Sequence, residues 1–390
     1  MLDRLINLLR PTEAKASRTA QLIQIESGGR ARWTPRDYAA LAREGYICNA
    51  IVHRAVKLVA ENVAGAPYLV YEGAVAREPH PLSELLLRPN PRQEGAAFLE
   101  AVCAHLLLAG NAYVEAVTVE GAVRELYALR PDRMRVVPGP DGWPEAYDYV
   151  VGGRTLRFEQ NAPLPPILHL TQFHPLDDHY GLSSLEAAAV AVDTHNSAAK
   201  WNKALLDNAA RPSGALVYSG PEGALLSDSQ FERLKRELED TYQGALNAGR
   251  PLLLEGGLDW KAMSLTPKDM DFLEAKNAAA REIALAFGVP PMLLGIPGDN
   301  TYSNYQEANR VFFRGTVLPL AARIGQALTH WLALAFGEGL RLVVDTDNVP
   351  ALAKDRAALW EQVSKASFLT VNEKREAIGF SPIEGGDRLA

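Results

Sequence analysis

Histidines and aspartates are concentrated in one short stretch, HLTQFHPLDDHY, which contains His169, His174, Asp177, Asp178 and His179. Imidazole and carboxylate groups are common metal ligands, but a metal centre also needs a fixed ligand geometry with supporting hydrogen bonds. The spacing of these residues matches no familiar ligand pattern. The stretch therefore favours a turn before the next helix over a metal site.

Two aspartates, Asp345 and Asp347, stand at the end of a predicted strand and could hold Mg²⁺ in a metal-dependent nuclease. The run DTDNVPALAKDR lacks the glycine and the terminal glutamate of a calcium-binding loop. A strand-end turn with solvated carboxylates is the favoured interpretation, and a nuclease is kept as an alternative.

The stretch GALNAGRP imitates a phosphate-binding loop, because Gly244 and Gly249 have the required spacing. Arg250 replaces the lysine of that motif and Pro251 replaces its serine or threonine. The predicted order is also helix before strand, whereas the motif requires strand before helix. Ser183, in GLSSL, lacks the second glycine of a nucleophile elbow. No residue pattern thus predicts an enzyme, a metal site or a cofactor.

The composition is that of a folded globular chain, since 47% of its 390 residues are hydrophobic and 22% are charged. The net charge of −7 disfavours tight general binding to DNA phosphates, although DNA could pass without being held. Cys48 and Cys103 are too few for a disulfide framework, which indicates a reducing cytoplasm. The apolar runs are shorter than a membrane span needs, and the N-terminus lacks the features of a signal peptide.

A helix, a polar loop and a second helix organise the chain between residues 267 and 319. Apolar residues at three- and four-residue spacing predict a buried stripe on the first helix: Met270, Leu273, Ala280, Ile283, Ala284 and Phe287. Gly288, Pro290 and Pro291 end that helix. The turn-forming residues that follow predict an exposed loop, GIPGDNTYSN.

The second helix is predicted to begin at a cap on Ser303 or Asn304 and to extend to about residue 336. Pro319 lies inside this helix, opposite the carbonyl of Gly315. Because proline removes a donor and clashes with the preceding turn, a kink is expected there.

Segments upstream predict a mixed domain with antiparallel hairpins over residues 31–180, including a helix that buries Val52, Val56, Val59 and Val63. Ser183 and Glu186 form a capping box that begins one alanine-rich helix of about 26 residues. An insertion follows between the two long helices, with a strand at GALVY and a hairpin in which PLLLEGG pairs with LDWKAMS. Near the C-terminus, Thr370 and Glu373 form a second capping box, and the tail SPIEGGDRLA is expected to be loosely ordered. The predicted fold class is α+β.

Several segments occur in the order and spacing of one known family. They are HPLSELLLRPNP, GNAYVE, LYALRPDRMRV, GLSSLEAA, LLDNAARPSGAL, NAGRPLLLEGGLDW, AREIALAFGVPPMLLG, TYSNYQEANRVFF and LTVNEKREAIG. Together they resemble the HK97-type portal proteins of phages and gene transfer agents, from about residue 35 to 387. The most specific part is the block from FGVPPMLLG to TYSNYQEA.

The resemblance implies a portal fold with a mixed α/β wing, a two-helix stem, an α/β clip, a long kinked helix and a short helical crown. The implied segments are a flexible N-terminal arm at 1–30, a wing at 31–183 and 304–348, stem helices at 184–211 and 266–290, a clip at 212–265, a tunnel loop at 291–303 and a crown at 349–390.

The resemblance also implies a dodecameric ring at one capsid vertex of a virion or particle, assembled in the bacterial cytoplasm. Double-stranded DNA would pass through it without sequence-specific binding during packaging and ejection. The implied partners are further copies of the chain, the large terminase subunit, the head–tail adaptor, and the major capsid protein or its scaffold. A head–tail adaptor that lines the DNA path is the alternative of the same class. No membrane, cofactor or catalytic residue is implied.

The resemblance assigns one set of residues to the DNA channel, in the tunnel loop: Gly298, Asp299, Asn300, Thr301, Tyr302, Ser303 and Asn304. Lys200, Lys203 and Lys276 fall in the implied stem, where the mixed charges around them favour a solvated face or pairing between subunits, and Gly315 with Pro319 marks the kink expected from the proline. An acidic channel wall repels phosphates weakly and lets DNA slide, whereas a basic wall would hold it. Asp299 is the residue expected to set this repulsion.

Overall fold

The computed structural model of the chain describes residues 37–73, 75–207, 214–218, 258–262, 272–298, 302–380 and 382–389, together with Thr34 and positions 227, 229, 230, 232, 233 and 236. Within these residues, helices pack against small antiparallel sheets, which is the predicted α+β class. None of the described helices combines the length and the apolar character needed to cross a membrane. The predicted N-terminal arm, most of the insertion at 212–265 and the stretch GALNAGRP lie outside the described residues.

Four helices begin the core: α1 (Tyr38–Leu41), α2 (Ala50–Ala64), α3 (Pro81–Leu87) and α4 (Gly95–Ala109), with a π-helical segment at Ala42–Ile47 between α1 and α2. The four valines predicted to lie on one face of α2 are all fully buried. Helix α4 packs against both α2 and the strand that follows it, and its Phe98, Val102 and Leu106 are buried. This position explains why α4 is apolar on most of its surface.

The described strands form antiparallel sheets and confirm the antiparallel hairpins predicted over residues 31–180. They are β1 (Tyr68–Glu72), β2 (Val75–Ala76), β3 (Asn111–Val119), β4 (Ala122–Leu129), β5 (Met134–Pro138), β6 (Pro144–Val151), β7 (Arg154–Glu159), β8 (Ile167–Thr171), β9 (Gly214–Tyr218), β10 (Leu258–Ala262) and β11 (Leu340–Val344). Their orders are β11-β1-β2, β4-β3-β8, β5-β6-β7 and β10-β9. The segment LDWKA therefore pairs with GALVY, while its predicted partner PLLLEGG lies outside the described residues.

The long helix predicted after Ser183 is two helices, α5 (Ser184–Ala187) and α6 (Ala189–Asp207). The Ser183 hydroxyl accepts a hydrogen bond from the Glu186 backbone N–H at 2.8 Å and caps α5 as predicted. The prediction of one continuous helix was wrong, because Ala188 has a ψ of 0° and interrupts the hydrogen-bond ladder. Helix α6 packs along α7 (Phe272–Ala286), and buried alanines such as Ala191 and Ala198 permit the close approach.

The predicted stripe on α7 is correct in its second half, where Ala280, Ile283, Ala284 and Phe287 are buried. Leu273 was predicted to lie in the same stripe, but it is 70% exposed. Helical spacing predicts which side chains share a face but not how far the neighbouring core extends along it. The first turns of α7 lie beyond that core.

The second predicted helix has three parts: α8 (Tyr302–Phe312), a π-helical segment (Phe313–Val317) and α9 (Leu318–Phe336). Pro319 lies in the first turn of α9, where a missing backbone donor costs little. The departure from α-helical geometry is upstream of the proline, in the π-helical turn that contains Gly315. A widened turn of this kind accommodates the proline ring without ending the helix.

The C-terminal segment contains α10 (Ala353–Lys365) and α11 (Val371–Ala377), and the predicted capping box of Thr370 and Glu373 is present in full. The expectation of a loosely ordered tail was wrong. The buried Asn372 side chain donates to the carbonyl of Ile383 at 3.0 Å and to the Asp387 carboxylate at 2.7 Å. The side-chain oxygen of Asn372 accepts a hydrogen bond from the Ile383 backbone N–H at 2.8 Å. One buried amide thus fastens the tail to α11.

Replacing Asn372 with Ala should release this tail, because three side-chain hydrogen bonds are lost, two to backbone groups of Ile383 and one to the Asp387 carboxylate. At about 1 kcal/mol for each bond, we expect a local destabilisation of about 3 kcal/mol. Hydrogen exchange should show faster exchange in residues 382–389 and unchanged protection in β3. Asn202→Ala, at an exposed position on α6, is the matched control. Equal exchange of the tail in both variants would contradict the role given to Asn372.

Candidate functional site

The histidines and aspartates of the HLTQFHPLDDHY stretch are not gathered into one centre. His169 lies on β8 inside an aromatic cluster, stacked on the Tyr113 ring with a centroid separation of 4.2 Å. Its Nε2 lies 3.0 Å from Asn111 Oδ1, and the Tyr147 hydroxyl lies 3.3 Å from its Nδ1. Asp177 instead forms a turn, accepting from the N–H groups of His179 and Tyr180. The stretch is therefore a strand followed by a turn.

Burial, with a smaller contribution from His179, lowers the pKa of His169 to about 4. The unfolded chain binds a proton at this side chain near pH 6.5, but the folded chain binds it only near pH 4. His169 therefore makes its full contribution to the free energy of unfolding above pH 6.5. This contribution falls by up to about 3 kcal/mol as the pH falls towards 4.

A melting-temperature series from pH 7 to pH 4 checks this prediction. His169→Gln should flatten the acid-side decline relative to the unmodified chain, because glutamine takes up no proton. The decline should not vanish, since burial also lowers the pKa of His105 to about 4. A decline as steep in the variant as in the unmodified chain would show that His169 does not contribute.

Asp345 and Asp347 adopt a strand-end turn. The Asp345 carboxylate accepts from the Asp347 N–H at 3.1 Å and from the Asn348 side-chain amide at 2.5 Å. Local donors thus occupy both carboxylate oxygens of Asp345. Across the described residues, no group of three His, Cys, Asp or Glu side chains is placed to hold a metal ion.

A buried polar network joins α6 to the start of α2. The Asn49 side chain caps α2 by accepting from the Ile51 and Val52 N–H groups. Its Nδ2 group also donates to the side-chain oxygen Oδ1 of Asn196 at 2.9 Å and lies 3.2 Å from His195 Nδ1. Burial, followed by the nearby Lys276 ammonium, lowers the pKa of His195. The network holds α6, and through α6 its neighbour α7, against the core.

The three predicted stem lysines lie on this helix pair at different depths. Lys200 is exposed and pairs with Glu44 at 3.4 Å, whereas Lys203 is exposed one turn further along α6. Lys276 lies on α7, is half-buried, and acts electrostatically on His195. The lysines therefore form no single basic patch.

The start of the predicted tunnel loop is packed rather than exposed. Ile296 was expected in an exposed loop, but it is buried against Ala280 and Ala284 of α7, where two small side chains leave room for it. The Arg281 guanidinium donates to the Pro297 carbonyl at 2.7 Å and fixes the exit of the chain. Beyond this anchor, the exposed Gly298 is the last described residue before α8.

The other residues assigned to the tunnel loop are partly described. Asp299, Asn300 and Thr301 lie outside the described residues. Tyr302 already belongs to α8, so Ser303 and Asn304, predicted as the cap, are exposed positions in its first turn.

A second anchor connects the π-helical turn to the end of α7. The Thr316 hydroxyl donates to the carbonyl of Gly288 at 2.6 Å. Gly288 has a φ of +65°, and a Cβ there would contact Thr316. Together with the Arg281 bond, the Thr316 bond fixes the end of α7 and the described start of the loop to neighbouring elements. No local sequence pattern predicts this hydrogen bond, because Thr316 and Gly288 lie far apart in the chain.

Residues 50–379 of the chain match the family model described as phage portal protein. It is 26% identical to the portal protein of Enterobacteria phage HK97, over 79% of this chain and 72% of that protein. It is also 45% identical to an uncharacterised protein of Rickettsia felis, over 89% of this chain and 90% of that protein.

A solved structure titled as the neck of a native gene transfer agent (GTA) particle, computed with C12 symmetry, is similar to the whole chain. It is 53% identical, covers 94% of this chain and 99% of its own, and superposes with a TM-score of 0.72. The helix–loop–helix, the antiparallel sheets before it and the capped C-terminal helix all fall inside the family match. This chain therefore belongs to the phage portal protein family.

Proposed function

We propose that twelve copies of this chain form a ring at one vertex of a phage or gene transfer agent capsid, and that double-stranded DNA passes through its axis. The observation that carries the proposal is the similarity along nearly the full chain to a particle neck with twelvefold symmetry. A closed ring of identical chains has head-to-tail contacts, so each copy presents two different surfaces to its neighbours.

Within this ring, α5 with α6 and α7 would form the stem, the insertion at 212–265 the clip, and residues 31–183 with 304–348 the wing. Residues 349–390 would form the crown. Two features support the stem assignment. The helices pack closely through alanines, and the Asn49 network ties them to the core. A stem built in this way would be fixed to the wing by buried side-chain hydrogen bonds.

The tunnel loop would project towards the DNA from the point where the Arg281 bond to Pro297 fixes the chain before α8. Contacts from Gly298 to Asn304 would be sequence-blind, and Asp299 would keep them weakly repulsive to phosphates. The stem lysines are not gathered into a patch, which favours DNA that slides over DNA that is held. The role is that of a structural channel without catalysis.

The proposed partners are the large terminase subunit during packaging, then the head–tail adaptor, with the major capsid protein or scaffold around the ring. Binding of purified rings to the large terminase subunit distinguishes a portal from an adaptor that only lines the DNA path. We expect a complex that survives gel filtration. Rings that bind tail-side proteins but not terminase would assign the chain to the adaptor class.

A cleavage assay tests the absence of catalysis. Purified rings should leave plasmid DNA intact with Mg²⁺ or Mn²⁺, and Asp345→Asn with Asp347→Asn should leave packaging unchanged. Metal-dependent cleavage that this pair of substitutions removes would restore the nuclease alternative.

A further inference from the structure

The C-terminal unit, residues 353–389, exposes an unusual number of large apolar side chains. We call them the C-terminal apolar surface: Leu359, Trp360, Phe368, Phe380, Ile383 and Leu389. Phe368 is 77% exposed and Leu389 is 65% exposed, although each is large enough to contribute to a core. Apolar patches on soluble proteins commonly mark interaction sites.

The unit has almost no core of its own. Among its described side chains, Val363 and Asn372 are the buried ones. A helix of 13 residues with one buried apolar side chain gains little stability from packing. The unit is nevertheless held together by specific hydrogen bonds, because it has a full capping box and the Asn372 bonds that fasten its tail. An ordered unit that lacks a core is suited to completing one with a partner.

Polar contacts join the unit to helix α8 and the π-helical turn of the same chain. Asp355 accepts from Arg310 at 2.9 Å and pairs with Arg314 at 3.1 Å. Lys354 donates to Gln306 at 2.5 Å. These contacts position the unit, and among the described residues its apolar side chains stay exposed.

The charge of the unit indicates which partner fits. It contains six basic and six acidic side chains, so its net charge is zero in a chain whose net charge is −7. Identical units brought together by symmetry would repel one another if each carried a net charge. A neutral unit avoids this repulsion, and its interspersed charges can pair with those of a copy. The zero net charge also disfavours DNA as the partner of this unit, because proteins bind DNA phosphates through an excess of basic residues.

The side-chain types agree with a protein partner. Arg356 lies over the Trp360 ring and Arg375 over the Phe380 ring, each 5.6 Å from the ring centroid. The two rings lie 6.4 Å apart. Trp, Phe and Arg are enriched in the buried centres of protein interfaces, where a few such residues supply most of the binding energy.

We propose that the C-terminal apolar surface packs against a neighbouring copy of this chain. The inference rests on the ring of the proposed function. It adds that the C-terminal apolar surface is one of the two surfaces through which each copy contacts its neighbours. Because the ring is head-to-tail, the residues that cover this surface on the neighbour are a different set.

Photocrosslinking tests the contact directly. p-Benzoylphenylalanine replaces Phe368 in the full chain, and rings of this variant, prepared from a mixture of isotopically light and heavy chains, are purified before irradiation. We expect crosslinked dimers whose peptides join light to heavy chains. The same probe at Trp143, which is 75% exposed and outside the unit, measures the yield that exposure alone produces.

Crosslinks confined to the probe's own chain, including its first 33 residues, would overturn the proposal. An interchain yield at position 368 no greater than at position 143 would do the same. If the unmodified chain forms no ring, the proposed function fails and this inference with it. Rings that form but give no more interchain crosslinks from position 368 than from position 143 contradict this inference alone.

A double substitution, Phe368→Ser with Leu389→Ser, supplies an independent measurement. We expect the protein concentration at which half of the chains are in rings to rise at least tenfold, about 1.4 kcal/mol or more. Hydrogen exchange of the tail confirms that the unit itself stays folded. Unchanged ring assembly with a folded unit would contradict the proposal.

Discussion

Gly181→Val should prevent the chain from folding. Gly181 and Gly110 touch backbone to backbone where the end of α4 meets the entry to α5. A Cβ on Gly181 would overlap the Gly110 carbonyl and lie 2.5 Å from the Gln172 backbone nitrogen. Backbone cannot move aside as a flexible side chain can, so we expect a loss above about 4 kcal/mol.

The measurement is the amount of soluble protein and, where any is recovered, its melting temperature. Gly298→Val is the matched control, because a Cβ at that position meets no atom within 4 Å. The control should melt close to the unmodified chain. Soluble Gly181→Val that melts within about 2 °C of it would show that this close approach is not required.

Asp299→Lys should reduce DNA packaging at least tenfold if the tunnel loops face the DNA. In a ring of twelve, the substitution changes the charge around the channel by about +24, which converts weak repulsion of phosphates into attraction. DNA would then be held where it must slide. The measurement is the DNA content of purified particles, and the effect should weaken at high salt because the attraction is screened.

Asp299→Asn should have a smaller effect, since it removes the negative charge without adding a positive one. Glu338→Lys reverses a charge at an exposed position outside the loop and should leave packaging unchanged. If both lysine variants package as well as the unmodified chain, Asp299 does not set the electrostatics of the channel.

Local features of the fold could be predicted from the sequence because they depend on neighbours along the chain. Ser183 and Thr370 are the caps that their motifs indicate, and the α2 valines are buried as their spacing predicts. Leu273 shows the limit of spacing, because the extent of a core is a tertiary property. The exposed-loop prediction failed at Ile296 for the same reason.

The contacts that hold the candidate channel elements together could not be predicted, because each joins residues far apart in sequence. Asn49 reaches Asn196, and Thr316 reaches Gly288, across unrelated segments. Nothing in the local pattern distinguishes the buried Asn49 from an exposed asparagine. The unbroken helical pattern after Ser183 likewise contains no sign of the interruption at Ala188.

The central claim is that this chain closes into a ring with an axial channel, and native mass measured together with electron-microscope class averages tests it most directly. Twelve copies of the 42.5 kDa chain should form a particle of about 510 kDa. End-on views should show a ring with a central hole. A purified chain that stays monomeric even with its terminase and capsid partners, or that forms open filaments, would contradict the claim.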